Sequence, residues 1–218
     1  VSGGTPSYGF QWTGPNGFNE TTEDISGLEP GSYSLEITDA NGCVVTYTDE
    51  VTITEPTEIT VIATSTDISC NGAADGTISA VTSGGTPGYT YAWSGPGGFS
   101  SDLPNPGSLE PGTYSLIVTD GNGCTRDFNN IATINEPTAI EVTFSDQTNL
   151  VCFGDNTGSI SIEVTGGVAP YTFSWTNSAG TVVSTEEDPS GLATDTYSLV
   201  VTDNTLCSVT YPDAVELT

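Results

Sequence analysis

The sequence predicts an all-β protein built of tandem antiparallel β-sandwich units, and three observations carry that expectation. Apolar residues recur at every second position, as with Tyr89, Tyr91 and Trp93 set against Thr90, Ala92 and Ser94; this period marks strands with one buried and one wet face. Turn signals such as GGTP, GPNG, LEPG, DANG and DGNG separate the runs. The pattern also repeats, with Trp12, Trp93 and Trp175 standing 81 and 82 residues apart, and self-similarity at a fixed period is the mark of a repeat architecture.

The repeat extends over the whole 218-residue chain. SGGTPSYGFQW (2–12) returns as SGGTPGYTYAW (83–93) and, more loosely, as TGGVAPYTFSW (165–175). GLEPGSYSLEITDANGC (27–43) returns at 108–124 and 191–207. Cys43, Cys124 and Cys207 form one series and Cys70 and Cys152 another. TITEPTEI (52–59) and TINEPTAI (133–140) read as joints, so the expected units are 1–56, 57–137 and 138–218. The first is short by about 25 residues at its start, relative to a repeat of this length. The chain reads as a slice of a longer secreted protein: it has no initiator Met, no signal peptide and no apolar run able to span a bilayer.

Each element has its own warrant. In the middle unit, strands are expected near 58–65, 76–82, 88–94, 98–102, 112–119 and 124–134, rich in the Thr, Val, Ile and Tyr that suit a pleated surface. Elsewhere Tyr33, Leu35 and Ile37 alternate with Ser34, Glu36 and Thr38, and Ile160, Ile162 and Val164 with Ser159, Ser161 and Glu163. Nothing reads as a helix. The Trp of the third strand is expected between the sheets. LEPGTYSLIVTD resembles the tyrosine corner of immunoglobulin-like domains, so Tyr33, Tyr114 and Tyr197 are expected to turn their rings inward and bond nearby backbone through their hydroxyls.

CNGAADGTISAVTSGGTPGYTYAWSG (70–95), with GTYSLIVTDGNGC and the Glu-Pro joint, resembles the SprB repeats of large adhesins on gliding bacteria. The last unit departs in detail, with CFGDNTG for CNGAADG and GGVAPY for GGTPGY, but keeps the turn chemistry. The resemblance implies immunoglobulin-like sandwiches arranged end to end, type IX secretion, an extracellular cell-surface location and a role in adhesion or gliding motility. The segment would be a stalk whose partners are neighbouring repeats, with surface polysaccharide or substratum as further partners. The alternative is that the repeats themselves bind such a ligand.

Composition excludes several functions. One Lys or Arg (Arg126) against 28 Asp and Glu gives a net charge of −27, which leaves nothing to neutralise nucleic-acid phosphates or anionic lipid. Without His or Lys there is no Ser-His or Cys-His pair and no Schiff base. No enzyme is expected. The charge itself suits solubility and keeps strand edges apart.

The cysteines of an exported chain are expected as disulfides. Within units the pairs would be Cys70–Cys124 and Cys152–Cys207, leaving Cys43; between units they would be Cys43–Cys70 and Cys124–Cys152, leaving Cys207. The first is preferred, since a repeat usually carries its own staple. Against it, Cys43 and Cys70 lie symmetrically about the Glu55-Pro56-Thr57 joint, as in a hairpin. In a seven-strand sandwich the two loops of one unit also lie at opposite poles, too far apart to bond, whereas an even strand count would bring them together.

The remaining candidates are oxygen ligands and rings. Asp39, Asp75, Asp120, Asp155 and Asp203 lie in loops with Asn and Gly and offer oxygens suited to calcium. The preferred reading is a turn role, because no D-x-D-x-D-G run is present. The triplets Tyr8-Phe10-Trp12, Tyr89-Tyr91-Trp93 and Tyr171-Phe173-Trp175 are expected in the core rather than as sugar platforms, with Phe18 and Phe99 better placed for exposure. Glu23-Asp24 and Glu186-Glu187-Asp188 form carboxylate clusters matched in the middle unit only by Asp102, which argues against a glycosidase pair.

Overall fold

The computed structural model describes residues 1–152 and 154–218. The chain divides into two compact units, Val1–Glu58 and Ile59–Thr218. The first holds β1 (Gly9–Thr13), β2 (Asn19–Glu20), β3 (Gly31–Thr38) and β4 (Val44–Ile53) in one antiparallel sheet ordered β2-β1-β3-β4.

The second unit contains two successive repeats with separate cores. The first has β5 (Thr60–Thr66), β6 (Thr77–Ser83), β7 (Thr90–Ser94), β8 (Ser100–Ser101), β9 (Gly112–Thr119) and β10 (Thr125–Ile134). Its sheets are β5-β6 and β10-β9-β7-β8. The second has β11 (Glu141–Thr148), β12 (Gly158–Thr165), β13 (Thr172–Thr176), β14 (Val182–Ser184), β15 (Ser190–Leu192), β16 (Asp195–Thr202) and β17 (Ser208–Leu217), in sheets β11-β12-β15 and β14-β13-β16-β17. The six strands expected in the middle repeat all form, each within two residues of its expected ends. Short 3₁₀ turns at Pro15–Gly17 and Pro96–Gly98 are the helical pieces among the described residues. The described residues are thus nearly all β, and the two repeats of the second unit are two-sheet antiparallel sandwiches of immunoglobulin-like strand order.

The alternation that predicted the strands also fills the cores. Ile78, Trp93, Leu109, Tyr114, Leu116, Val118 and Ile134 pack together in the middle repeat. Ile160, Trp175, Tyr197, Leu199, Val201 and Leu217 do so in the last. Trp175 is fully buried, and its indole N–H donates to the Glu186 carbonyl at 3.0 Å; that of Trp93 donates to the Leu103 carbonyl at 3.0 Å. A buried indole needs such a partner. The tyrosine corners form in all three copies: Tyr33, Tyr114 and Tyr197 donate to the carbonyls of Glu29, Glu110 and Ala193, each at 2.8 Å. Burial raises the phenol pKa of Tyr114, with the Glu110 charge adding to it, and burial does the same at Tyr197 beside Asp195.

The serine after each corner tyrosine has a role that alternation alone did not reveal. The last strand of each repeat carries a bulge at Asp49, Asn130 or Asp213, where φ is positive. The bulge N–H loses its ladder partner and donates instead to Ser34 Oγ, Ser115 Oγ or Ser198 Oγ, at 2.9, 3.0 and 2.9 Å. The recurring Tyr-Ser-Leu triplet thus encodes a corner and a bulge cap and, at Leu116 and Leu199, a core residue.

The first unit shows what the second sheet contributes. In the middle repeat the N–H groups of Gly76, Ile78 and Ala80 donate to the carbonyls of Leu109, Pro106 and Pro104, which shapes the loop that receives the Trp93 indole. Among the described residues the first unit has no such strand, and Trp12 Nε1 is buried without an acceptor. Tyr47 and Val51 on β4 stay 43% and 41% exposed, whereas Ala132, the equivalent of Val51, is buried.

Candidate functional site at the joint between repeats

The site builds from two loops. The first follows β5, at Asp67–Asp75. Ser69 donates its N–H to Asp75 Oδ1 at 3.0 Å and its hydroxyl to Asp75 Oδ2 at 2.5 Å, and the Ala73 N–H closes a turn onto the Cys70 carbonyl. The loop is moored to the linker leaving β10: Asn71 Nδ2 donates to the Pro137 carbonyl at 3.0 Å, the Gly72 N–H to Glu136 Oε1 at 2.6 Å and the Asn135 N–H to Asp67 Oδ1 at 2.8 Å.

The second loop joins β16 to β17. Asp203 is buried and organises it: Oδ1 accepts the N–H groups of Thr205 and Cys207 and the Thr205 hydroxyl, while Oδ2 accepts the Val168 N–H from the neighbouring Gly-Gly turn. Burial opposes the charge, but these donors outweigh it and lower the carboxyl pKa. The same arrangement stands at Asp120, with N–H groups of Asn122, Cys124 and Thr86, and at Asp39, with those of Asn41, Cys43 and Thr5. Both carboxyls are held below the usual range, chiefly by the Thr86 and Thr5 N–H groups respectively. The Ser69 hydroxyl and N–H lower Asp75 likewise.

The two loops meet in a disulfide between Cys70 and Cys207, with Cα atoms 5.5 Å apart and a sequence separation of 137. This corrects the expected pairings. Cys124 and Cys152, expected in within-unit bonds with Cys70 and Cys207, are free and exposed, as is Cys43. The physical reason is strand direction. Cys70 follows β5 and Cys124 precedes β10, so each repeat holds its two cysteines at opposite poles, separated by a strand of seven to ten residues. At about 3.3 Å per residue that is over 20 Å, against the 7 Å or so a disulfide spans between Cα atoms. Pairing across a joint in the other sense fails too: β10 and β11 both lead away from the joint, so Cys124 and Cys152 lie at its far sides. The first cysteine of one repeat instead meets the second cysteine of the next. The opposite-pole geometry was the available signal for this staggered pair.

The other candidates find plainer roles. Asp39, Asp75, Asp120 and Asp203 spend their oxygens on loop N–H and hydroxyl groups, and the Asp155 N–H closes a turn onto the Cys152 carbonyl. Among the described residues no group of three or more His, Cys, Asp or Glu gathers for a metal. Phe18 and Phe99 are not free rings; they pack edge-on against Tyr33 and Tyr114, with centroids 5.3 and 5.4 Å apart. Of the aromatic triplets, Trp93 and Trp175 are core, while Tyr89 and Tyr171 are half-buried and donate to the carbonyls of Gly84 and Gly166. No helix among the described residues is long and apolar enough to cross a membrane.

No curated protein matches the chain. One similar solved structure, described as the structural basis for Dscam isoform specificity, is 13% identical with a TM-score of 0.29, the alignment covering 93% of this chain and 63% of that one. Residues 62–98 and 144–180 each match the SprB repeat family, in equivalent positions of the two repeats of the second unit. The second unit therefore carries two SprB-type repeats.

Proposed function

We propose that this chain is a stalk segment of a secreted bacterial cell-surface adhesin, with its sandwiches end to end. The observation that carries the reading is the Cys70–Cys207 bond, a covalent tie between successive repeats. Tension applied at the chain ends enters β5, crosses the disulfide and leaves through β17. The loop between the two cysteines carries no load, so most strands of both repeats are shielded. A fully extended loop of 137 residues would add about 480 Å of length, which the bond withholds. Such a segment resists extension without needing a large core. It supports adhesion or gliding motility by holding a distal contact surface away from the cell, after type IX export, and it performs no catalysis.

Two measurements test this. An antibody raised against 57–218 is expected to label intact cells; labelling only after permeabilisation overturns the surface location. Single-molecule stretching is expected to release about 480 Å more contour after reduction than before. An equal contour in both states overturns the shielding mechanism. The second reading, that the repeats bind surface polysaccharide themselves, predicts retention of the isolated chain on such polysaccharide, whereas the stalk reading predicts none.

A further inference from the structure

We propose that Cys43, Cys124 and Cys152 are open halves of the same joint, each matched to a cysteine of another repeat of this type, so that staggered disulfides run on as a ladder. Three observations converge. The loops carrying Cys43 and Cys124 are built like the one carrying Cys207: the aspartate four residues earlier accepts the cysteine N–H at 2.8, 2.8 and 3.0 Å, and its other oxygen accepts the N–H of the Gly-Gly turn region. Cys152 repeats the turn of Cys70, with the N–H three residues on donating to the cysteine carbonyl. Burial follows the neighbour: Cys207, which faces the preceding repeat's partner loop, is 9% exposed, while the three unpaired thiols are all exposed.

The halves are of two kinds and are complementary. Cys152 is equivalent to Cys70 and requires a cysteine of the Cys207 kind, which Cys43 and Cys124 are. Two like halves do not fit, since Cys70 and Cys207 approach from different poles of their repeats. The occupant that completes Cys152 is thus the Cys43- or Cys124-bearing loop of a second copy. Bond formation removes one proton and one electron from each thiol. A disulfide oxidant, such as oxidised glutathione, takes up the two electrons and is cleaved to two thiols.

The test uses the 218-residue chain with two variants, C152S and the double variant C43S/C124S, in a glutathione redox buffer. All three positions are exposed, and retention of the Cys70–Cys207 bond on peptide mapping reports the fold. Each variant alone is expected to stay monomeric on non-reducing electrophoresis. An equimolar mixture is expected to give a covalent dimer whose linked peptides contain Cys152 of one copy and Cys43 or Cys124 of the other. The unsubstituted chain is expected to give a head-to-tail series. A mixture that stays monomeric, including one that only acquires glutathione adducts, overturns the proposal. So does a variant that dimerises alone through like cysteines.

Discussion

Removing the Cys70–Cys207 bond in the variant C70S/C207S tests how far one repeat depends on the next. Asn71 already holds Pro137 beside Cys70 through a 3.0 Å hydrogen bond. When the last repeat unfolds with the middle one intact, the disulfide therefore closes a loop from Pro137 to Cys207, about 70 residues. The chain-entropy relation assigns such a loop about 4 kcal/mol. For a unit of this size, with a guanidinium slope of about 2 kcal/mol per molar, the midpoint is expected to fall by about 2 M. The assay is equilibrium unfolding followed by tryptophan fluorescence, since Trp93 and Trp175 are 2% and 0% exposed. Reducing the parent chain is expected to give the same shift, and C124S/C152S none. An unchanged midpoint in C70S/C207S, or an equal loss in C124S/C152S, would refute the reasoning.

Three further outcomes are expected. A Cβ at Gly95 would overlap the ring of buried Tyr114; Gly95→Ala should cost about 1–3 kcal/mol by overpacking, read as a lower Tm of the middle repeat, and a neutral result contradicts the corner packing. The Asp120 carboxyl has a folded pKa below its unfolded value, chiefly through the Thr86 N–H. Its contribution is thus present above about pH 4 and lost as pH falls through the folded value. The Tm gap between the parent chain and Asp120→Asn should hold from pH 8 to 5 and close below about pH 4, and a gap independent of pH is the contrary result. Because the loop carboxylates already bond to N–H groups, Tm should be the same in millimolar calcium and in EDTA, whereas a large rise with calcium would make Asp39, Asp120 or Asp203 ligands.

Much of the fold was legible in the sequence because its causes are local. Alternation at Tyr89–Trp93 and Tyr114–Val118 depends on the pleat alone, and DANG and DGNG need only turn geometry. The corner tyrosines bond a carbonyl four residues back, so motif and partner lie in one stretch of sequence. The serine bulge caps were less visible, since each joins residues 15 apart through an irregularity in the partner strand. Phe18 and Phe99 were misjudged for a similar reason: the glycine before each 3₁₀ turn lies against the corner tyrosine, and the turn then brings the phenylalanine onto that ring.

By itself the sequence determined the repeat, its strands, the buried Trp and Tyr and the turn-forming aspartates, because each rests on side-chain period or short-range hydrogen bonding. Only the tertiary structure decided which cysteines meet. Five cysteines at a regular spacing are compatible with several pairings. The choice among them follows from strands that lead away from the joint on both sides and carry a repeat's two cysteines to opposite poles. The partner of Cys70 therefore lies 137 residues away in the next repeat, brought there by the meeting of two loops rather than by any feature near either cysteine.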